Sequence, residues 1–119
     1  QGFAQGLWGM MAHAIYTALD PGRPASLSKA VISDIVRGEL GFEGALISDD
    51  ISMDALAAYG DLVTRARLAL EAGCDCALYC HGSLQHMQAL ARDVPAMTAA
   101  SLKRFETSKQ WLKTSIRSA

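Results

Sequence analysis

The sequence predicts an α/β fold, in which three β-α units follow one another and their strands pair in parallel. Short apolar runs alternate with segments of helical apolar spacing, and Gly41, Gly73 and Pro95 mark the ends of helical segments. Three parallel strands leave two open sheet edges, and 119 residues fall short of the roughly 250 that close an eight-stranded barrel. We therefore expect residues 1–119 to be the last three β-α units of a larger fold, without an internal domain boundary.

The first unit begins with a predicted strand from Leu7 to Ala14, and His13 lies near the strand's end. A loop rich in turn-forming residues follows at Asp20–Pro24. Ser28 is then expected to cap a helix that extends to about Leu40, because apolar residues recur there at helical spacing. Gly41 is the predicted stop of this helix.

The second unit begins with a predicted strand from Gly44 to Ser48, and Asp49 is at its exit. A short helical turn is expected around Ser52–Ala58. The helix that follows is predicted from Asp61 to Ala72, with apolar residues on one face and charged residues on the other. Gly73 closes this helix.

The third unit begins with a predicted strand from Cys74 to Cys80, which is nearly continuously apolar, as is typical of a strand covered on both faces. Ser83 is expected to cap a helix that ends near Asp93, before Pro95. A last helix is predicted from Thr98 to Ser115. The predicted order is β-α-β-α-β-α-α, with right-handed crossovers between the strands.

Composition and charge exclude several classes of function. Half of the residues are hydrophobic and the formal net charge is -1, so a surface for nucleic acid or anionic lipid is not expected. The sequence has no apolar run of the roughly 20 residues that a membrane span needs. The chain opens on Gln1-Gly2-Phe3 with no signal segment, and we expect it to be part of a longer protein.

The three cysteines, Cys74, Cys76 and Cys80, form a poor disulfide framework because they are odd in number and close together. If they lie on a strand, they share one face, where packed and reduced thiols suit the cytoplasm. A metal site with His81 is disfavoured, because strand neighbours two apart converge poorly on a tetrahedral ion.

Candidate site residues follow each predicted strand. His13, Asp49 and His81 lie at strand exits, and parallel strands place their exits on one side of a sheet, where ligands bind. Asp49 could attack a sugar's anomeric carbon, bind a metal, or only cap the next helix. One member of the pair Asp49 and Asp50 is expected to cap the following turn. His13 could be catalytic or packed, whereas His81 is expected to be only a packing residue.

Several ordered strings make the chain similar to glycoside hydrolase family 3, and within it to the bacterial β-N-acetylglucosaminidases of cell-wall recycling. The similarity extends from about Leu7 to about Cys80 and thins in the last third. The strings that carry it are Met11-Ala12-His13-Ala14-Ile15-Tyr16, Pro24-Ala25-Ser26, Arg37-Gly38-Glu39-Leu40-Gly41-Phe42-Glu43-Gly44, Ser48-Asp49-Asp50-Ile51-Ser52-Met53 and Glu71-Ala72-Gly73-Cys74-Asp75.

This resemblance implies a (β/α)8 TIM-type barrel, of which residues 1–119 would be the incomplete C-terminal part. It implies a retaining exo-glycosidase in which Asp49, and not Asp50, is the catalytic nucleophile, and His13 is a substrate-binding residue of the sugar subsite. The implied substrate is an N-acetylglucosaminyl-anhydromuramyl peptide from peptidoglycan. The resemblance also implies a cytoplasmic enzyme that needs no metal and no organic cofactor.

The resemblance places the acid/base group, a histidine paired with an aspartate, and a sugar-binding Lys-His motif upstream of this chain. The isolated 119 residues are therefore expected not to turn over substrate. Two alternatives remain. One is a β-glucosidase or β-xylosidase of the same family, although those enzymes usually have an aromatic residue at the position that Asp50 occupies in this chain. The other is a non-catalytic half-barrel that associates with itself or with the missing half.

Overall fold

A computed structural model describes the backbone of residues 7–118 and the side chains of residues 7–114. Its three strands form one parallel sheet in the order β1-β2-β3, which confirms the predicted arrangement. The strands are β1 Trp8–Met11, β2 Ala45–Asp50 and β3 Cys76–Leu78. The α-helices are α1 Leu62–Ala72, α2 Leu84–Asp93 and α3 Ala99–Ser118, with 3₁₀ helices at Ala25–Leu27 and Asp54–Tyr59 and a π-helix at Ala30–Glu39.

The lengths of the strands differ from the prediction. β1 ends at Met11, before His13, because the carbonyls of Ala12 and Ala14 accept hydrogen bonds from the returning segment at Ala25–Ser26. β3 has three residues, so the predicted strand Cys74–Cys80 was too long at both ends. β2 is instead longer than predicted and includes both Asp49 and Asp50.

The helix predicted from Ser28 to Leu40 is present, but it is a π-helix and not an α-helix. Ser28 Oγ accepts a hydrogen bond from the amide of Val31 at 3.1 Å, in the manner of a helix cap. At the other end the amide of Leu40 donates to the carbonyl of Ile35 at 2.8 Å, the longer spacing of a π-helix. Gly41 follows with φ of 66°, which confirms the predicted stop.

The two following helices begin and end close to the predicted positions. Asp61 caps α1 by accepting from the amide of Thr64 at 2.9 Å, and Ser83 caps α2 at His86. Gly73 ends α1 at φ of 123°, and a Cβ there would lie 2.9 Å from Ile32 Cγ2. Within residues 7–118, no helix combines the length and the apolar character that crossing a membrane requires.

The core lies on one face of the sheet. Met11 and Leu46 are buried on this face together with apolar residues of the helices and of the loops, namely Ala25, Leu27, Val31, Ile32, Ile51, Leu56, Ala66, Ala69, Ala72 and Cys74. On the other face Trp8 and Met10 are 58% and 60% exposed. The described chain therefore covers one face of a parallel sheet, whereas the second face is covered only in part, where Phe105 of α3 packs edge-on against Trp8 with ring centroids 5.4 Å apart.

A buried carboxylate joins the amino edge of the sheet to the helices. Asp75 directly precedes β3, and its side chain is 1% exposed. Its Oδ2 accepts from Arg37 at 2.9 Å and from the amide of Leu46 at 2.8 Å, while its Oδ1 accepts from Ser101 and Arg104, each at 2.6 Å. β2, the π-helix and α3 are thus all attached to this one side chain.

The surroundings of Asp75 keep it ionised. Burial by itself would raise its pKa, but hydrogen bonds from Ser101, from the amide of Leu46 and from Arg104 hold the pKa below its ordinary value. Burial lowers the pKa of Arg37, which its carboxylate partner partly offsets. Arg37 also donates to the carbonyls of Phe42 at 3.0 Å and Gly44 at 2.6 Å.

Replacement of Asp75 by alanine is expected to lower the free energy of unfolding by about 3–5 kcal/mol at neutral pH, because it leaves buried donors without their acceptor. Since the folded-state pKa of Asp75 is depressed, its contribution is present above the unfolded value of about 3.9 and is lost as the pH falls through the folded pKa. Urea denaturation of the wild type and of Asp75→Ala at pH 7 and at pH 3 measures the free energy of unfolding. The difference in this free energy between the two proteins should be smaller at pH 3 than at pH 7.

The matched control is Asp93→Ala, which removes an exposed ion pair with Arg92. This change should affect the free energy of unfolding much less, because water screens exposed pairs. Equal effects of the two substitutions would contradict the structural role of Asp75.

Candidate active site

The carboxyl end of β2 contains an irregularity at the aspartate pair. Ile47 pairs with Cys76 and Asp50 with Leu78 in β3, so three steps along β2 correspond to two along β3. The register shift lies at Ser48 and Asp49. Such bulges bend a strand locally and redirect a side chain, and they are common next to active sites.

Ser48 stabilises this bulge. Its side chain is fully buried, and its Oγ accepts a hydrogen bond from the amide of Leu78 at 3.1 Å. The same hydroxyl donates to the carbonyl of Asp49 at 2.9 Å. A small hydroxyl residue before the aspartate pair therefore connects β3 to the backbone that carries Asp49.

Asp50 binds the segments on both sides of it. Its Oδ1 accepts from the amides of Ser52 at 3.0 Å and Cys80 at 3.2 Å, and its Oδ2 accepts from Ser52 Oγ at 2.8 Å. Desolvation would raise the pKa of Asp50, but these hydrogen bonds keep it below the ordinary value. Asp50 is thus the aspartate that caps the following turn, as predicted for one of the two.

Asp49 has a more open environment. It is half-buried, and its Oδ1 accepts from the amide of Asp50 at 2.8 Å. No contact among the described residues uses its Oδ2. Ile47 pairs with Met10 on one face of the sheet, and the register shift after Ile47 interrupts the regular alternation at Asp49. One carboxylate oxygen is therefore free to meet a ligand at the carboxyl edge of the sheet.

His13 lies next to this pair, in the loop after β1. Its imidazole is 7% exposed, Nδ1 is 2.6 Å from Ser26 Oγ, and Nε2 is 2.8 Å from the carbonyl oxygen of Asp50. Because a carbonyl oxygen only accepts, the proton of the neutral ring is on Nε2, and Ser26 donates to Nδ1. Both nitrogens thus have protein partners. The substrate-binding role of His13 stays a prediction.

The third strand contributes less to the site than its predicted exit suggested. His81 is exposed, and its nearest described ring contact is Tyr79, at 6.4 Å between centroids. His86 is exposed on α2, with Nδ1 3.1 Å from Tyr79 Oη. The structure brings His13 to the aspartate pair, and His81 stays outside their hydrogen-bond network.

The cysteines differ in their surroundings. Cys74 is buried, where desolvation raises the pKa of its thiol to about 12. Cys76 is half-buried and Cys80 is exposed. The shared strand face was a wrong prediction, because only Cys76 lies within β3. Among residues 7–118 no group of three His, Cys, Asp or Glu side chains is arranged to hold a metal ion.

A groove of about 1030 Å³ lies away from Asp49 and His13. It is between α1, α2 and the start of α3, and its lining includes Asp75, Leu90 and Met97 but neither Asp49 nor His13. Since Asp75 is fully engaged with its partners, the groove offers mainly apolar side chains. The carboxyl edge, in contrast, contains Asp49, whose Oδ2 no contact among the described residues uses.

Sequence reasoning missed the supporting residues Ser26 and Ser48. Both are fully buried polar side chains inside otherwise apolar segments. A hydroxyl at such a position must find a partner, because an unpaired buried polar group is costly. That rule predicts that each serine is bonded, but it does not predict to which residue.

Comparisons with known proteins identify the family of this chain. A family profile described as the N-terminal domain of glycosyl hydrolase family 3 matches residues 4–114. A β-hexosaminidase from Alkalilimnicola ehrlichii is 54% identical over 72 residues, which are 60% of this chain and 20% of that protein.

Two solved structures are also similar. A family 3 β-N-acetylglucosaminidase from Paenibacillus sp. has a TM-score of 0.76 at 30% identity, over 87% of this chain and 22% of that one. NagZ from Neisseria gonorrhoeae, in complex with N-trifluoroacetyl-D-glucosamine, has a TM-score of 0.65 at 28% identity, over 78% of this chain and 27% of that one.

The chain spans only 20% to 29% of the lengths of the curated relatives that it matches. The family profile, in contrast, covers most of the chain. On these grounds the chain belongs to glycosyl hydrolase family 3.

Proposed function

We propose that the protein containing this chain is a retaining exo-glycosidase that removes terminal β-N-acetylglucosamine from peptidoglycan-derived muropeptides. The observation that carries the proposal is the contrast between two adjacent carboxylates. Asp50 uses both oxygens to hold neighbouring backbone and Ser52, whereas Asp49 Oδ2 has no partner among the described residues. A nucleophile needs such a free oxygen on a rigid support.

In the proposed reaction Asp49 attacks the anomeric carbon of the sugar. A carboxylate oxygen forms a bond to that carbon, and the glycosidic bond breaks with its electron pair on the leaving oxygen, which takes a proton from a general acid. Water then attacks the same carbon, the bond to Asp49 breaks, and the acid recovers its proton. The bulge at Ser48 and the hydrogen bond from the Asp50 amide fix the attacking group before substrate arrives.

The barrel assignment is also a proposal, and the partly uncovered sheet face supports it. Trp8 and Met10 expose more than half of their surface on that face. In a closed barrel this face is the interior, which side chains from the other strands fill. We propose that the chain forms the last three β-α units of such a barrel. The open edge of β1 would then pair with the missing part of the barrel or with a second copy of the chain.

The three free thiols support a cytoplasmic location as part of the same proposal. Cysteines of different exposure that stay unpaired are typical of a reducing compartment. Muropeptides that return from cell-wall turnover would be the substrate there, with no metal or organic cofactor required by the proposed chemistry.

Asp49→Asn is expected to reduce kcat by at least about 10³-fold in the full-length protein, because an amide cannot act as the nucleophile. Asp50→Asn is the matched control, since the Asn oxygen can accept from the Ser52 and Cys80 amides as Asp50 does. It should retain most of the activity. Release of p-nitrophenol from the N-acetyl-β-glucosaminide measures kcat for both variants. Loss of activity in Asp50→Asn with activity retained in Asp49→Asn would assign the nucleophile to Asp50.

The isolated 119 residues should release no detectable p-nitrophenol from this substrate, because the proposed acid/base histidine is expected upstream. The full-length protein at the same concentration is the positive control. Turnover by the isolated chain that disappears in its Asp49→Asn variant would show that the acid is within these residues.

The sugar preference separates this proposal from the β-glucosidase and β-xylosidase alternatives. We expect kcat/KM for the N-acetyl-β-glucosaminide to exceed that for the β-glucoside by more than about 10²-fold, because a site built around the acetamido group is left with unpaired polar groups by glucose. The two p-nitrophenyl glycosides, measured on the same full-length protein, give this ratio. A preference for the glucoside or the xyloside would favour the alternative.

A further inference from the structure

A buried chain of hydrogen bonds runs beneath the candidate nucleophile. Ser26 is fully buried and donates to His13 Nδ1, and His13 Nε2 donates to the carbonyl of Asp50. The two partners of the imidazole belong to different elements, because Ser26 is in a 3₁₀ helix and Asp50 ends β2. His13 thus connects the loop after β1 to the carboxyl end of β2.

The backbone that His13 holds also determines where the Asp49 carboxylate lies. Asp49 Oδ1 rests on the amide of Asp50, and the carbonyl of Asp49 accepts from Ser48. The next carbonyl, that of Asp50, accepts from His13 and from the amide of Met53 at 3.2 Å. The Asp49–Asp50 peptide group, whose amide supports the carboxylate, is therefore held by Ser48, and the next peptide group is held by His13. The two groups share the Cα of Asp50, so a displacement of the second group shifts the first.

We propose that His13 is a positioning residue, which orients Asp49 for attack through the carbonyl of Asp50. This inference rests on the proposed function of Asp49. The contrasting role is direct binding of a sugar hydroxyl by His13. That role would require the sugar to displace Ser26 or the Asp50 carbonyl from a ring that is 7% exposed.

The first test compares two substitutions of His13 in the full-length protein. Leucine removes both hydrogen bonds, and kcat should fall about 10- to 100-fold because the carboxylate loses its alignment. KM for the N-acetyl-β-glucosaminide should stay within about threefold, the spread expected when ground-state binding is kept. Glutamine carries an amide donor of similar reach, and His13→Gln should recover most of the lost kcat. A raised KM with an unchanged kcat would overturn the positioning role.

The second test uses Ser26→Ala, which applies even if His13→Leu fails to fold. Ser26 is fully buried and cannot contact a sugar, so a fall in kcat without a change in KM would support the hydrogen-bond chain. Ser28→Ala is the matched control, because Ser28 is equally buried but its hydroxyl serves the π-helix and Asp20. Ser28→Ala should lower the melting temperature and leave kcat unchanged. Equal kcat losses in both serine variants would overturn the proposal.

A covalent label separates failure of this inference from failure of the proposed function. A 5-fluoro analogue of the N-acetylglucosaminide should label Asp49 in the wild-type protein, as detected by mass spectrometry of the peptide that contains it. An unlabelled Asp49 would refute the nucleophile assignment and the inference with it. With Asp49 labelled in the wild type, a labelling rate about 10- to 100-fold slower in His13→Leu supports positioning. An unchanged rate overturns the positioning role alone.

Discussion

The buried carboxylate of Asp75 is the constraint on which the rest of the structure depends. It binds two guanidinium groups, one hydroxyl and the amide of Leu46 in β2. A charge taken out of water requires such partners, and losing them would leave it uncompensated. The strands β2 and β3, the π-helix and α3 are therefore fixed relative to one another at the amino edge of the sheet. This leaves the carboxyl edge free to be shaped for chemistry.

At the carboxyl edge, the elements are fixed relative to one another by hydrogen bonds between mostly neutral groups. Ser48 holds the bulge, Asp50 holds the following turn and the end of β3, and His13 holds the carbonyl behind them. Only Asp49 keeps an oxygen outside this network in the described chain. The division agrees with the general pattern of parallel α/β folds, in which one end of the sheet provides stability and the other provides the site.

Local signals were enough to predict the order of the elements and most of their ends. Gly41, Gly73, Asp61 and Ser83 act on their own neighbours in the chain, so their roles can be read from sequence. The limits of β1 and β3 could not be predicted, because they depend on which distant backbone groups compete for pairing. The π-helix was missed for a related reason, since apolar spacing does not specify how many residues separate the donor and the acceptor of each helical hydrogen bond.

The candidate site was predictable in part. An aspartate pair after an apolar run predicted a site at the carboxyl edge of the sheet, and one aspartate was expected to be a cap. Which of them is the cap depends on the Cys80 amide, 30 positions away, and the sequence has no local sign of that contact. The partners of His13 and the role of Asp75 are likewise long-range, and no local pattern in the sequence indicates them.

The strands lie in the sheet in the same order as in the sequence, β1-β2-β3. This order has a consequence for synthesis on the ribosome. Bonds that hold the carboxyl end of β2 come from Leu78 and Cys80, each 30 positions downstream, and the bond to Asp75 at the opposite edge spans 29. A nascent chain can therefore fix the carboxyl end of β2 when the third strand emerges, whereas Asp75 gains Ser101 and Arg104 only after α3 has followed. The candidate site thus forms late in synthesis, and the full set of bonds at the amino edge forms later still.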